Sequence, residues 1–277
     1  MRHVSAATLC ALLGAALTAR PGAVAHAAVT AGAEGLRQAY AAHQAVYALS
    51  LKASTDQDVV AARGTMTYDL TDACTGWSTS QHLTINLTDR DGRDLKMVSD
   101  YATFESKDGT RLTFHSRQLT DDTVTESLDG AATLDRSGGS GHADYASPAR
   151  RQIHLPPGTM LPEAHTRTII SGAREGKHFL SIPLFDGTTA DGAEDSFVSL
   201  GAMQPPGGSR WPALSPLPSV KVHVAFFGRD QKSEMPDYEV GMRYFTNGVA
   251  DDLVMNFGDF TMQGKLDQLL VRPDARC

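Results

Sequence analysis

Two stretches decide the fold: His82-Leu83-Thr84-Ile85-Asn86-Leu87-Thr88 and Val220-Lys221-Val222-His223-Val224-Ala225-Phe226. In the first, Leu83, Ile85 and Leu87 take every second position; in the second, Val220, Val222, Val224 and Phe226 do the same. Successive side chains of a strand point to opposite faces, so this period of two collects the apolar groups on one face. A helix, at 3.6 residues per turn, scatters the same positions around its circumference. Half-buried antiparallel strands are the reading that fits.

The pattern extends outward in both directions. Ala45, Tyr47, Leu49 and Leu51 alternate, as do Met66, Tyr68 and Leu70. Asp108-Gly109 and Asn247-Gly248 stand between alternating runs, and such dipeptides favour the positive φ of tight hairpin turns. Asp91-Gly92 and Asp129-Gly130 are further candidates, giving four hairpins and a meandering sheet. Helix is scarce. Glu34–Ala42 offers a short one through Leu36 and Tyr40, and Pro162–Ala173 a better one, with Pro in the first turn and Gly172 and Gly176 as stops. The glycine-rich 137–141 run reads as a flexible loop, and Pro205–Pro218, with Trp211, as an extended loop rather than a strand.

The chain has 277 residues, 41% hydrophobic and 21% charged, an ordinary globular mixture that excludes disordered, collagenous and coiled-coil classes. A net charge of −7 and the lack of any basic run argue against a nucleic-acid partner. Arg2 and His3, the apolar run Val4–Leu17 and a closing Ala25-His26-Ala27 make 1–27 a secretory signal peptide, with 28–277 as one β-rich domain. The apolar run is too short for a membrane span, which needs about 20 residues, and no later window approaches one. Residues 1–27 hold two arginines and no acid, so the net charge of −7 becomes −9 for the remainder.

Cys10 leaves with the signal peptide, so Cys74 and Cys277 are the two thiols of the mature chain. Export exposes them to oxidising machinery and only one intramolecular pairing exists, so a Cys74–Cys277 disulfide is expected. Two separate thiols are the alternative. A catalytic redox pair is disfavoured because there is no C-x-x-C spacing.

No catalytic constellation is legible, and no motif points to a cofactor. No histidine belongs to H-E-x-x-H or to a local zinc pattern. Asp89-Arg90-Asp91-Gly92 hints at a calcium loop, yet aligning Gly92 with the invariant glycine puts Leu87 and Val98 where carboxylates belong, so a plain turn is expected. Ser140 lacks the G-x-S-x-G frame. Asp251, Asp252 and Asp259 read as an exposed acidic edge, and Asn86-Leu87-Thr88 as a chance sequon.

The run His43–Leu51, Gly64-x-Met66-x-Tyr68, Cys74, Leu184-Phe185-Asp186-Gly187, Tyr238-Glu239-Val240, Asn247-Gly248-Val249, Leu253, Gly258-Asp259-Phe260 and Cys277 together resemble the cell envelope integrity EipB family of Gram-negative bacteria. The resemblance implies a periplasmic, mainly β protein: one antiparallel sheet curled into an open, spiral-like barrel with one or two short helices, similar to the Lol-type lipoprotein carriers. It also implies the Cys74–Cys277 bond, a role in envelope integrity and an association with a periplasmic tetratricopeptide-repeat protein. It brings no catalytic residues.

The first functional reading is a non-enzymatic periplasmic binding or scaffold protein. Its inward face, Leu83, Ile85, Leu87, Val222, Val224 and Phe226, either lines a cavity for a lipid or lipoprotein tail or simply fills the core. The alternatives are an envelope hydrolase acting on lipid or peptidoglycan, built near His82, His115, His223 or the acidic cluster, and a structural module docking a partner on an edge strand or the Pro205–Pro218 loop.

Overall fold

The structure, a computed structural model, describes residues 40–55, 58–229 and 235–277. The expected signal peptide lies outside the described residues, as does most of the Glu34–Ala42 segment. The end of that segment corrects the helical reading: Tyr40–Ala42 is not helical. Its backbone is claimed by neighbouring chain, with Ala41 N–H donating to Asn247 O at 2.9 Å and Arg272 N–H donating to Ala42 O at 2.8 Å.

Among the described residues fourteen strands form one antiparallel sheet. The first eight are β1 His43–Ser54, β2 Val59–Asp72, β3 Gly76–Asp89, β4 Asp94–Ser106, β5 Arg111–Thr120, β6 Thr123–Leu134, β7 Gly141–Ser147 and β8 Arg151–Leu155. The helix α1 (Pro162–Arg174) follows. Then come β9 Phe179–Leu184, β10 Glu194–Leu200, β11 Ser219–Gly228, β12 Tyr238–Phe245, β13 Ala250–Asn256 and β14 Phe260–Val271. The spatial order is β8-β7-β6-β5-β4-β3-β2-β1-β14-β13-β12-β11-β10-β9. Two meanders therefore meet at the middle of the sheet, where β1 pairs with β14 from His43↔Val271 to Ser54↔Phe260.

The two sheet edges, β8 and β9, flank α1 in sequence, so the helix segment carries the chain from one edge to the other. Just before the helix, Met160 forms a parallel bridge with Leu184 of β9. The sheet thus curls until its edges nearly meet, and stays open.

Three of the expected hairpin turns fall where the sequence places them, at Asp91-Gly92, Asp108-Gly109 and Asn247-Gly248. Asp129-Gly130 does not: both residues lie inside β6. The β5–β6 turn is made by Asp121 and Asp122, at φ 48° and 61°. Gly130 serves a different need, since a Cβ there would lie 2.4 Å from Asp144 O and 2.6 Å from the Phe114 ring. The 137–141 loop is also less free than its composition implies, with Asp135 N–H bonded to Ser140 O at 2.9 Å and Gly138 N–H to Thr159 O at 3.1 Å. Gly172 sits buried within α1; it is Gly176, at φ 75°, that ends the helix, donating to Ala173 O at 3.1 Å.

The inner face of the curl holds the apolar core. One cluster joins β1, β2, β3, β13 and β14 and includes Leu214 and Leu217, so the Pro205–Pro218 loop is anchored in the core rather than lying free. A second fills the β5–β8 end around Phe114, Tyr145 and Phe185. A third packs Ile169 and Ala173 of α1 against Val198, Val220, Val222 and Val224.

Cys74, at φ 65° in the β2–β3 turn, is joined to Cys277 by a disulfide with the Cα atoms 5.8 Å apart. Arg272 reinforces that fastening: its guanidinium donates to Asp69 at 2.6 and 2.9 Å and to Leu70 O at 3.1 Å. This ion pair holds the Asp69 carboxyl below its usual range. The tail after β14 is thus tied across β1 to β2.

The crosslink spans 203 residues. For a loop of that size the chain-entropy ceiling is roughly 5 kcal/mol. Cys277→Ser is expected to lower the thermal midpoint of non-reduced protein by on the order of 10 °C. Scanning calorimetry of the two proteins checks it, and equal midpoints contradict it.

Candidate functional site

The six apolar residues singled out in sequence all face into the curl, but they do different work. Ile85 and Leu87 are buried in the large cluster, and Val222 and Val224 are packed beneath α1. Leu83 and Phe226, at the two sides of the curl, instead line an internal cavity of about 330 Å³ that is partly open to solvent. This face is filled along most of its length and hollow at the N-terminal end of α1.

The rest of the lining was not foreseen. Six of the chain's seven tyrosines surround the cavity: Tyr40, Tyr47, Tyr68, Tyr101, Tyr238 and Tyr244. Met66, Val240, Met242, Leu253 and Met255 supply most of the remaining apolar wall. Strands β1–β4 contribute one side and β11–β13 the other, so it is the curvature of the sheet that brings these rings together.

At the base of the cavity lies Glu163, 2% exposed, in the first turn of α1. Three hydroxyls donate to its carboxylate: Tyr40; Tyr68 at 3.2 Å; and Thr79 at 2.8 Å. A buried carboxylate is costly unless it is hydrogen-bonded, and the three donors offset that cost. They also join the segment before β1, β2 and β3 to the helix. Gly248 permits the arrangement, because at φ 93° a Cβ would lie 2.3 Å from the Tyr40 ring. Burial, and then the charge of Glu163, pushes the Tyr40 and Tyr68 hydroxyls well above the usual phenol range. Burial brings Tyr244 up to about 12. These rings act as hydrogen-bond donors and apolar walls at neutral pH.

Behind the cavity Glu105 of β4, fully buried, caps α1 from outside the helix. Leu161 at the N-cap has no capping side chain. The Glu105 carboxylate takes the free N–H groups of Glu163 at 2.7 Å and Ala164 at 2.9 Å. This satisfies two of the donors that every helix start leaves open. Burial nevertheless pushes the Glu105 carboxyl up to about 7.

The hydrolase candidates are distributed differently. His82, His115 and His223 lie on the outer face, where they meet Asp100 at 2.6 Å, Asp129 at 2.6 Å and Glu239 at 3.4 Å. Thr84 lies 3.1 Å from the other ring nitrogen of His82. This hydroxyl–imidazole–carboxylate order has no oxyanion donors, because β3 is paired on both sides and its backbone N–H groups are committed to the ladder. His165 also contacts a serine, Ser196, at 2.8 Å. That hydroxyl donates to Ile182 O at 2.7 Å, which leaves the imidazole no proton to accept, and burial pulls His165 down to about 4.

The remaining candidates are structural. Asp89 accepts the N–H groups of Asp91 and Arg93, each at 2.9 Å, making the plain turn expected. Asp251 accepts Leu266 N–H at 3.0 Å and Asp252 takes φ 52°, which assigns these two to a β-irregularity beside β14, while Asp259 lies exposed in the β13–β14 turn. Among the described residues no group of three His, Cys, Asp or Glu side chains is placed to hold a metal ion. Among them, too, no helix is long and apolar enough to cross a membrane.

These features define a class: an open, barrel-like β protein, disulfide-clasped, with a tyrosine-rich cavity in its curl. The family profile described as EipB-like matches residues 36–273, and the chain belongs to that family. A relative, the cell envelope integrity protein EipB of Brucella abortus (strain 2308), is 27% identical over 235 residues, covering 82% of each chain. A solved Brucella abortus structure, described as a beta-barrel-like protein of the domain of unknown function DUF1849, superposes with a TM-score of 0.78. At 24% identity it covers 85% of this chain and 99% of that one, and it shares the fold.

The Glu105 cap generates a pH prediction. Its carboxyl titrates near 7 when folded and near 4.5 when unfolded, so the folded state binds the extra proton between those values. Its contribution to stability is whole below about pH 4.5 and is lost as the pH rises through 7. His165 works in the opposite direction, so the measurement is a difference. Relative to Glu105→Gln, wild type is expected to lose stability between pH 5 and 7.5, by up to roughly 3 kcal/mol. Paired denaturation curves check this, and a pH-independent difference contradicts it.

Proposed function

We propose that this is a non-enzymatic periplasmic protein that supports cell envelope integrity by holding the apolar chain of a lipid or lipoprotein in its internal cavity. The observation that carries the reading is the cavity itself. It lies at the lower end of the roughly 300–1,000 Å³ of small-molecule sites, with apolar and aromatic walls and a few convergent polar groups. Membership of the EipB-like family and the name of the Brucella relative supply the envelope role. The leader-like residues 1–27 and the Cys74–Cys277 bond support export into an oxidising compartment. Against the hydrolase reading, the Ser196 hydroxyl beside His165 already donates to Ile182 O, and the Thr84–His82 pair has no oxyanion donors beside it. A tetratricopeptide-repeat partner would meet the outside of the curl, and it belongs to the same proposal through the family resemblance alone.

The test is native mass spectrometry of protein purified, without detergent, from a bacterial periplasm. An adduct of lipid mass is expected on the wild type. Met242→Trp, which adds an indole to the cavity wall, is expected to lose it while keeping the fold, at a cost of about 1–3 kcal/mol. Wild-type protein that flies free of any adduct contradicts the proposal.

A further inference from the structure

The cavity has an electrostatic asymmetry that an acyl-chain site does not need. Its base is a buried carboxylate, Glu163, and its partners Tyr40, Tyr68 and Thr79 are all neutral hydroxyls. Hydroxyls supply hydrogen bonds but no positive charge. Among the described residues no lysine or arginine lines the cavity, and burial pulls the one imidazole they place there, His43, toward its neutral form. Among the described residues Glu163 makes no ion pair. The Arg167 guanidinium turns to the Glu163 main-chain oxygen at 3.2 Å and to Glu105 at 3.8 Å.

Buried charges in proteins are ordinarily paired with an opposite charge or a metal. The walls around this one are tyrosine rings; burial is what chiefly raises Tyr40, Tyr68, Tyr101 and Tyr244, and the charge of Glu163 adds to the rise of each. A carboxylate at the bottom of an aromatic pocket suits one kind of partner, an organic cation whose charge meets the carboxylate while its carbons meet the rings.

We infer that the cavity recognises an amphiphile with a cationic amine head, the ammonium pairing with Glu163 among the tyrosines and the hydrocarbon tail lying along Met66, Leu83 and Met242. This rests on the cavity reading above and specifies it: the ligand class is an alkylammonium, as in an amine-bearing lipid, rather than a fatty acid.

The test is calorimetric titration with dodecylammonium, dodecanol and dodecanoate, each below its micelle concentration. The three share a tail and differ in head charge. Wild type is expected to bind dodecylammonium roughly ten-fold tighter than dodecanol, with dodecanoate the weakest. Glu163→Gln retains a hydrogen-bond acceptor for the hydroxyls and is expected to erase the preference by weakening the ammonium alone. Equal wild-type affinities for the ammonium and the alcohol, or tightest binding of the carboxylate, overturn the inference while the acyl-cavity reading stands. Binding of none of the three overturns both. The wild-type comparison is decisive even if the variant fails to fold.

Discussion

A carboxylate removed from water must be satisfied by groups the fold brings to it, and this protein places two of them around the start of its only described helix. Glu163 and Glu105 have bonding partners far away in sequence. Glu163 gathers Tyr40, Tyr68 and Thr79, from the segment before β1 and from β2 and β3; Glu105 holds the first turn of α1 to β4. These bonds determine where the helix lies within the curled sheet, and so where the curl is plugged and where it is left hollow. Removing either acid leaves orphaned donors in a dry interior, a cost of about 1–3 kcal/mol for each.

The topology explains why such an anchor is needed. A long antiparallel sheet with one apolar face has to roll up or be covered, and here it rolls until Met160 reaches β9. The seam where β1 and β14 join the two meanders is fastened on its other side by Arg272, Asp69 and the disulfide. The helix end is therefore set by buried acids, while the tail is held by an ion pair and a covalent bond. The cavity lies at the first of these fastenings, against Glu163, and its rings come from both meanders.

Much of the fold was legible in sequence, because strand alternation is a local property. His82–Thr88 and Val220–Phe226 each showed which side chains turn inward, and Asn247-Gly248 and Asp108-Gly109 marked real turns. Asp129-Gly130 misled because a turn dipeptide carries no information about register: the chain reversed at Asp121-Asp122, and Gly130 was needed beside Phe114. Tyr40 looked helical by spacing, but its hydroxyl is held by Glu163 and its segment by backbone bonds to the β12–β13 turn and to Arg272 after β14. The site was less legible. Whether an inward face is filled or hollow depends on side-chain volumes from strands far apart in sequence, and alternation cannot report it. The abundance of tyrosine among otherwise aliphatic inward positions, as at Tyr47, Tyr68 and Tyr244, was the one available signal.

All of this depends on the roll being hollow beside Glu163 rather than packed shut. Xenon settles against apolar cavity walls, so diffraction from a crystal pressurised with xenon reports the void directly. A xenon atom is expected among Met66, Leu83, Met242 and Leu253, with the Glu163 hydrogen bonds intact. Side chains closed across that space, with no xenon between β3 and β12, would contradict it.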